Sequence, residues 1–106
     1  MFTDMIYLSH GIEEHIFALD TNNVFLLNPK SLEVQYIYEV NYKEPQLTCI
    51  AGRFSRTNST FNIYIGDEIG VVRIFDFKEL LLLVKEISLF KETYDNKIMH
   101  KTKKLD

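Results

Sequence analysis

The residues best able to hold a metal are His10, His15, His100 and Cys49. Their spacing matches no zinc pattern, because such sites are built from closely spaced Cys and His pairs and this chain has a single cysteine. Surface or strand histidines and one packed thiol are the plainer reading. Asp67-Glu68 is the one adjacent carboxylate pair that falls in a turn. Neighbouring positions there point apart, so a solvated turn is expected rather than an acid/base couple. Cys49 has no basic residue nearer in sequence than Arg53, and nothing marks it as an activated nucleophile. No G-x-S-x-G, P-loop or G-x-G-x-x-G occurs. Asn58-Ser59-Thr60 is a formal glycosylation sequon, idle without a secretory signal. The expectation is a chain without catalytic residues, metal or cofactor.

Composition narrows the partners. Of the 106 residues, 46% are apolar and 25% charged, which is globular rather than disordered usage. Eight Phe and six Tyr tilt the expectation toward sheet. The net charge is −3, but Lys97, Lys101, Lys103 and Lys104 sit in the last ten positions. Residues 1–96 then hold eight basic and fourteen acidic side chains, a body that should repel nucleic acid. Residues 97–106 read as a basic, frayed tail. The start, MFTDMIYLSH, lacks a basic region and a long apolar run, and Leu80–Val84 is bounded by charges. Neither a secretory signal nor a membrane span is expected, and the lone Cys49 fits a reducing compartment, cytoplasmic or nuclear.

The elements that would position these residues are short strands. The clearest are Asn62–Gly66 and Val71–Phe75, joined by Asp67-Glu68-Ile69-Gly70, where Gly70 supplies φ > 0. Phe75-Asp76 closes the second strand. Earlier come Met5–Leu8, a break at Ser9-His10-Gly11, His15–Leu19, the turn Asp20-Thr21-Asn22-Asn23, and Val24–Leu27. Pro29 ends that run, having no N–H to give a ladder, and Leu32–Val40 follows. Leu47–Ala51 is a fifth strand, followed by a polar loop over Gly52–Thr60. The segment Lys78–Glu92 is ambiguous, because Leu80, Leu83, Val84 and Ile87 share one helical face.

An internal repeat favours a strand there. A shift of 48 sets Asn22–Lys30 against Gly70–Lys78, and Ile16–Asp20 against Tyr64–Glu68. Strand, polar turn, strand, and a turn bearing Asn or Asp with Lys appears twice. Leu32–Val40 then corresponds to Leu80–Ser88. A unit of this layout near 45 residues is the mark of a β-propeller blade. Gly70-Val71-Val72-Arg73-Ile74-Phe75-Asp76 resembles the ending of a WD repeat, with Phe75 where Trp is typical. The resemblance covers about residues 5–90. It implies an all-β fold of two four-stranded antiparallel sheets, blade-like units at 5–40 and 47–90, within one domain over 1–96.

The resemblance implies a scaffold or protein–protein interaction module, part of a propeller completed by a protein partner, further blades or copies of itself. Phe25, Tyr36, Tyr38 and Phe54 are the candidate interface residues; Asn22, Asn23, Asp67, Gly70 and Asp76 are the candidate turn residues. The alternative is a small β-sandwich or barrel with a C-terminal helix at Lys78–Glu92, binding a peptide or lipid headgroup.

Overall fold

The computed structural model describes residues 1–40 and 46–88. The strands are β1 (Asp4–His10), β2 (Glu13–Leu19), β3 (Asn23–Leu27), β4 (Val34–Glu39), β5 (Leu47–Ser55), β6 (Thr60–Asp67), β7 (Val71–Phe77) and β8 (Leu81–Ser88). They form two antiparallel four-stranded meanders, β1-β2-β3-β4 (sheet 1) and β5-β6-β7-β8 (sheet 2). The fold is all-β, two sheets arranged like consecutive blades, with no helix among the described residues. The helical alternative fails over Leu81–Ser88, which pairs with β7 from Phe77↔Leu81 to Val71↔Ser88. Ladder bonds to a neighbouring strand outweigh the weak local preference of Leu, Lys and Glu. The rest of that proposed helix, and the basic tail at 97–106, lie outside the described residues.

Most strand ends differ from the sequence reading by a residue or two, and three of the shifts move a named residue. The β1 strand runs through His10, and the reversal falls at Gly11, whose φ is 62°. The β5 strand continues through Gly52, Arg53 and Phe54 to Ser55, so the loop over Gly52–Thr60 shrinks to 56–59. Asp76 is not a turn residue: β7 extends to Phe77, Asp76 pairs with Leu82, and its carboxylate accepts a 2.6 Å bond from Asn62 Nδ2.

Side chains opposite one another in an antiparallel ladder share a face, and alternate residues swap faces. The inner face of sheet 1 holds Ile6, Leu8, Phe17, Leu19, Val24 and Leu26; that of sheet 2 holds Ile50, Phe61, Ile63, Ile65, Phe75 and Phe77. All but Ile6 are buried, and together they form one core. The Phe17 and Phe77 rings meet edge to face at 5.0 Å. The sheets come closest where β1 crosses β5, and contact fades toward β4 and β8, giving a wedge. Gly52 makes that approach feasible, since a Cβ there would lie 2.9 Å from Leu8 Cδ1. Asp4 Oδ2 accepts from Ile50 N–H at 2.9 Å, and Leu47 N–H donates to the Thr21 carbonyl at 2.8 Å.

The repetition is structural. Asp20 Oδ1 accepts the N–H groups of Asn22 and Asn23; Asp67 Oδ1 accepts those of Ile69 and Val71. A ladder irregularity falls between Leu26 and Leu27 in sheet 1, and between Ile74 and Phe75 in sheet 2. Before the turn the offset is 47 (Asp20 to Asp67), after it 48 (Leu26 to Ile74), because the second turn is one residue longer. The sequence alignment used 48 throughout, which set Asp20 against Glu68.

Candidate interaction faces

The same alternation that fills the core gives each sheet a second face. On the outer side of sheet 1 lie Met5, Tyr7, Ile16, Ala18, Phe25 and Ile37. Met5, Tyr7 and Ile37 are exposed to half or more, whereas Ala18, flanked by Met5 and Phe25, is covered within the sheet. Phe2 leans onto Phe25 with ring centroids 5.0 Å apart. On the outer side of sheet 2 lie Ala51, Tyr64, Val72, Ile74, Leu82 and Ile87. A sheet with one solvated face ordinarily alternates apolar and polar residues. Here the middle of each outer face is apolar too, beside Glu14 and Glu39 on sheet 1 and Arg53, Asn62, Asp76 and Lys85 on sheet 2, and an exposed apolar patch rimmed by polar residues marks an interaction site.

Tyr7 donates a short bond to Glu14, and that bond, with a smaller contribution from burial, raises the Tyr7 phenol above its usual value. Arg53 lies exposed on the outer side of sheet 2, opposite Asn62. Cys49 is a free, exposed thiol on the same side, against which Gly66 leaves room: a Cβ at Gly66 would come within 2.9 Å of Sγ. The expected packed thiol is therefore a surface one.

The four candidate interface residues do not share one face. Phe25 is on the outer side of sheet 1. Tyr36 and Tyr38 are on its inner side, out on β4 where the wedge opens; Tyr36 is exposed and Tyr38 half-buried. Their rings lie 6.2 Å apart, and burial, then the charge of an ionised Tyr36, raises the Tyr38 phenol. Phe54 sits in the seam between the sheets, its ring parallel to that of His10 at 3.6 Å and edge-on to Phe61. It is partly buried against the core and does not form a free surface.

Asn22 and Gly70 lie in the turns, whereas Asn23 begins β3 and Asp67 ends β6, bounding them. Gly70 has φ 87° and donates to the Asp67 carbonyl at 3.2 Å. Asn22 and Asn23 offer their N–H groups to Asp20, which the sequence reading grouped with them without giving it the central part. Asp67 overturns the expectation of a solvated turn. Its side chain is fully enclosed and pairs with Arg73 Nη1 at 3.1 Å, while Glu68 is exposed. Arg73 also reaches Glu86 at 3.4 Å.

His15 packs edge-on to Phe61 and Phe77 and lies 2.7 Å from Glu13. His10 stacks on Phe54, and neither histidine joins a metal cluster; no group of three or more potential ligands occurs among the described residues. His100 lies outside them. A shallow groove of about 470 Å³ lined by Thr60, Asp76, Lys78, Glu79, Leu80 and Leu82 opens to solvent. No helix of the described residues is long and apolar enough to cross a membrane. No protein-family model, no curated protein and no solved structure matches the chain.

Proposed function

We propose that this chain is a non-catalytic protein–protein interaction module, a pair of blades resembling WD repeats that contributes to a larger propeller-like scaffold. The observation that carries the reading is the apolar outer face on each sheet. Blades of a repeat protein bury both faces against neighbours, and two alone leave the terminal faces wet. The wedge between the sheets, tight at β1 and β5 and open toward β4 and β8, supports the same reading, since blades radiate from a centre. The acidic body and the absence of a basic stripe on the described strands favour a protein partner over nucleic acid. A reducing compartment, cytoplasmic or nuclear, suits the free Cys49.

The test is cross-linking of a tagged chain in living cells, comparing wild type with Ile16→Lys and Ile74→Lys. Wild type is expected to cross-link to protein, itself included, and each charged face to remove a product while the far-ultraviolet spectrum stays that of a sheet. Absence of any product, or products indifferent to both substitutions, defeats the reading.

A further inference from the structure

The partner of each outer face follows from the offsets between the two sheets. An offset of 47 on β2/β6 and 48 on β3/β7 makes Phe17 equivalent to Tyr64, Val24 to Val72, and Leu26 to Ile74. The first of each pair faces the core; the second faces outward on sheet 2. In the other direction, Ile63 and Phe75 of the inner face correspond to Ile16 and Leu27 on the outer side of sheet 1. Sheet 2 therefore shows to solvent the face that sheet 1 uses inside the chain, and sheet 1 shows the face that sheet 2 uses. The sheets are related head to tail, and a head-to-tail contact is never self-satisfied: it repeats until it closes a ring where the rotation allows, and otherwise runs on as a filament.

We propose that a second copy of this chain covers these faces, the outer side of sheet 2 of one copy packing on the outer side of sheet 1 of the next. This rests on the interaction-module reading and deepens it by naming the partner. The internal seam is the template. From the ladder pairings, β1 and β5 are offset by 45, so Leu8 is equivalent to Arg53 and Gly52 to Tyr7. Inside the chain Leu8 lies over Gly52. Between copies the equivalent pairing brings Arg53 of one copy over Tyr7 of the next, whose hydroxyl holds Glu14. A guanidinium stacks on an aromatic face and pairs with a carboxylate, so the substitution of both partners is chemically matched. Phe2, exposed and leaning on Phe25 at the outer side of sheet 1, becomes buried in the same step. Propellers hold about 4–8 blades, so two blades per copy predict closed rings of about two to four copies.

Light scattering on the purified 106-residue chain, from about 5 to 200 µM, reads the outcome directly as mass relative to 12.5 kDa. The expected result is a discrete assembly of two to four copies. Ile74→Lys converts it to a monomer of unchanged far-ultraviolet spectrum, Arg53→Glu weakens it tenfold or more, and Arg53→Glu with Glu14→Arg restores it. A folded monomer throughout overturns self-assembly while leaving an interaction with a different protein, which cross-linking in cells reads separately. An assembly unaffected by Ile74→Lys, charge reversal without rescue, or an unfolded or aggregating chain overturns the proposal as well.

Discussion

Tyr38 carries its hydroxyl into a place where it finds no hydrogen-bond partner among the described residues, although its ring packs on the core margin. An enclosed, unpaired hydroxyl costs about 1–3 kcal/mol. Tyr38→Phe should therefore leave stability unchanged or raise it by about 1 kcal/mol in urea unfolding. The same residue sets an alkaline limit. Its phenol is held above the ordinary value of 10.0, chiefly by burial, so the unfolded chain gives up the proton first. Stability is intact below that pH and falls as pH rises toward the folded value; Tyr38→Phe should flatten that part of the profile. Asp67 is the opposite case, an enclosed carboxylate whose oxygens are fully employed by Ile69, Val71 and Arg73. Asp67→Ala leaves the Arg73 guanidinium with Glu86 alone and frees two turn N–H groups, with an expected loss of about 1–3 kcal/mol. A midpoint shift worth under 1 kcal/mol would show that the pair is dispensable.

At the scale of elements, two glycines do different work. Gly70 occupies a positive φ, so Gly70→Val should cost more than ~1 kcal/mol through backbone strain alone. Gly52 has ordinary backbone and no room: Leu8, Ile6 and the Asn62 carbonyl crowd the missing Cβ. Gly52→Val should push β5 off β1 and cost about 1–3 kcal/mol, with loss of near-ultraviolet signal from the Phe54 and Phe61 rings before loss of sheet. Seven strands were legible from alternation and turn residues, because period-two patterning and Asn, Asp, Gly and Pro act locally; β8, with Leu80, Leu83, Val84 and Ile87 on one helical face, was legible only through the internal repeat. The ends of β1, β5 and β7 were not. His10 and Phe54 extend their strands by stacking on each other across the seam, a contact between residues 44 apart in sequence. Arg73 was equally hidden: its partnership with Asp67 spans a turn whose length only the fold reveals.

For the whole molecule, the apolar outer faces were latent in the sequence as strands with too few polar residues. Which face met which was not legible, since a uniform shift of 48 conceals the single extra residue between Asp67 and Val71. That residue reverses the sense of the match between the sheets, and it separates an open series from a closed pair. The β4 and β8 strands, exposed along most of their length, form outer edges of the wedge and add little to the core. Their neighbours in an assembly would be solvent, so charges at Gln35 or Val84 should be tolerated where Ile16 and Ile74 do not tolerate them.

Asp20 and Asp67 offer one more use. They perform the same task at equivalent turns, but Asp67 is shut away on the inner side and Asp20 remains only half-covered on the outer side. The pair is a built-in gauge of dielectric surroundings, one carboxylate already in the interior and its twin waiting for it. In dilute, dissociated chain Asp20→Ala should destabilise clearly less than Asp67→Ala. If a second copy covers the outer face of sheet 1 as the concentration rises, the Asp20→Ala penalty should grow while that of Asp67→Ala, which also loses the Arg73 pair, stays put, and that growth would report occupancy of the face without any label.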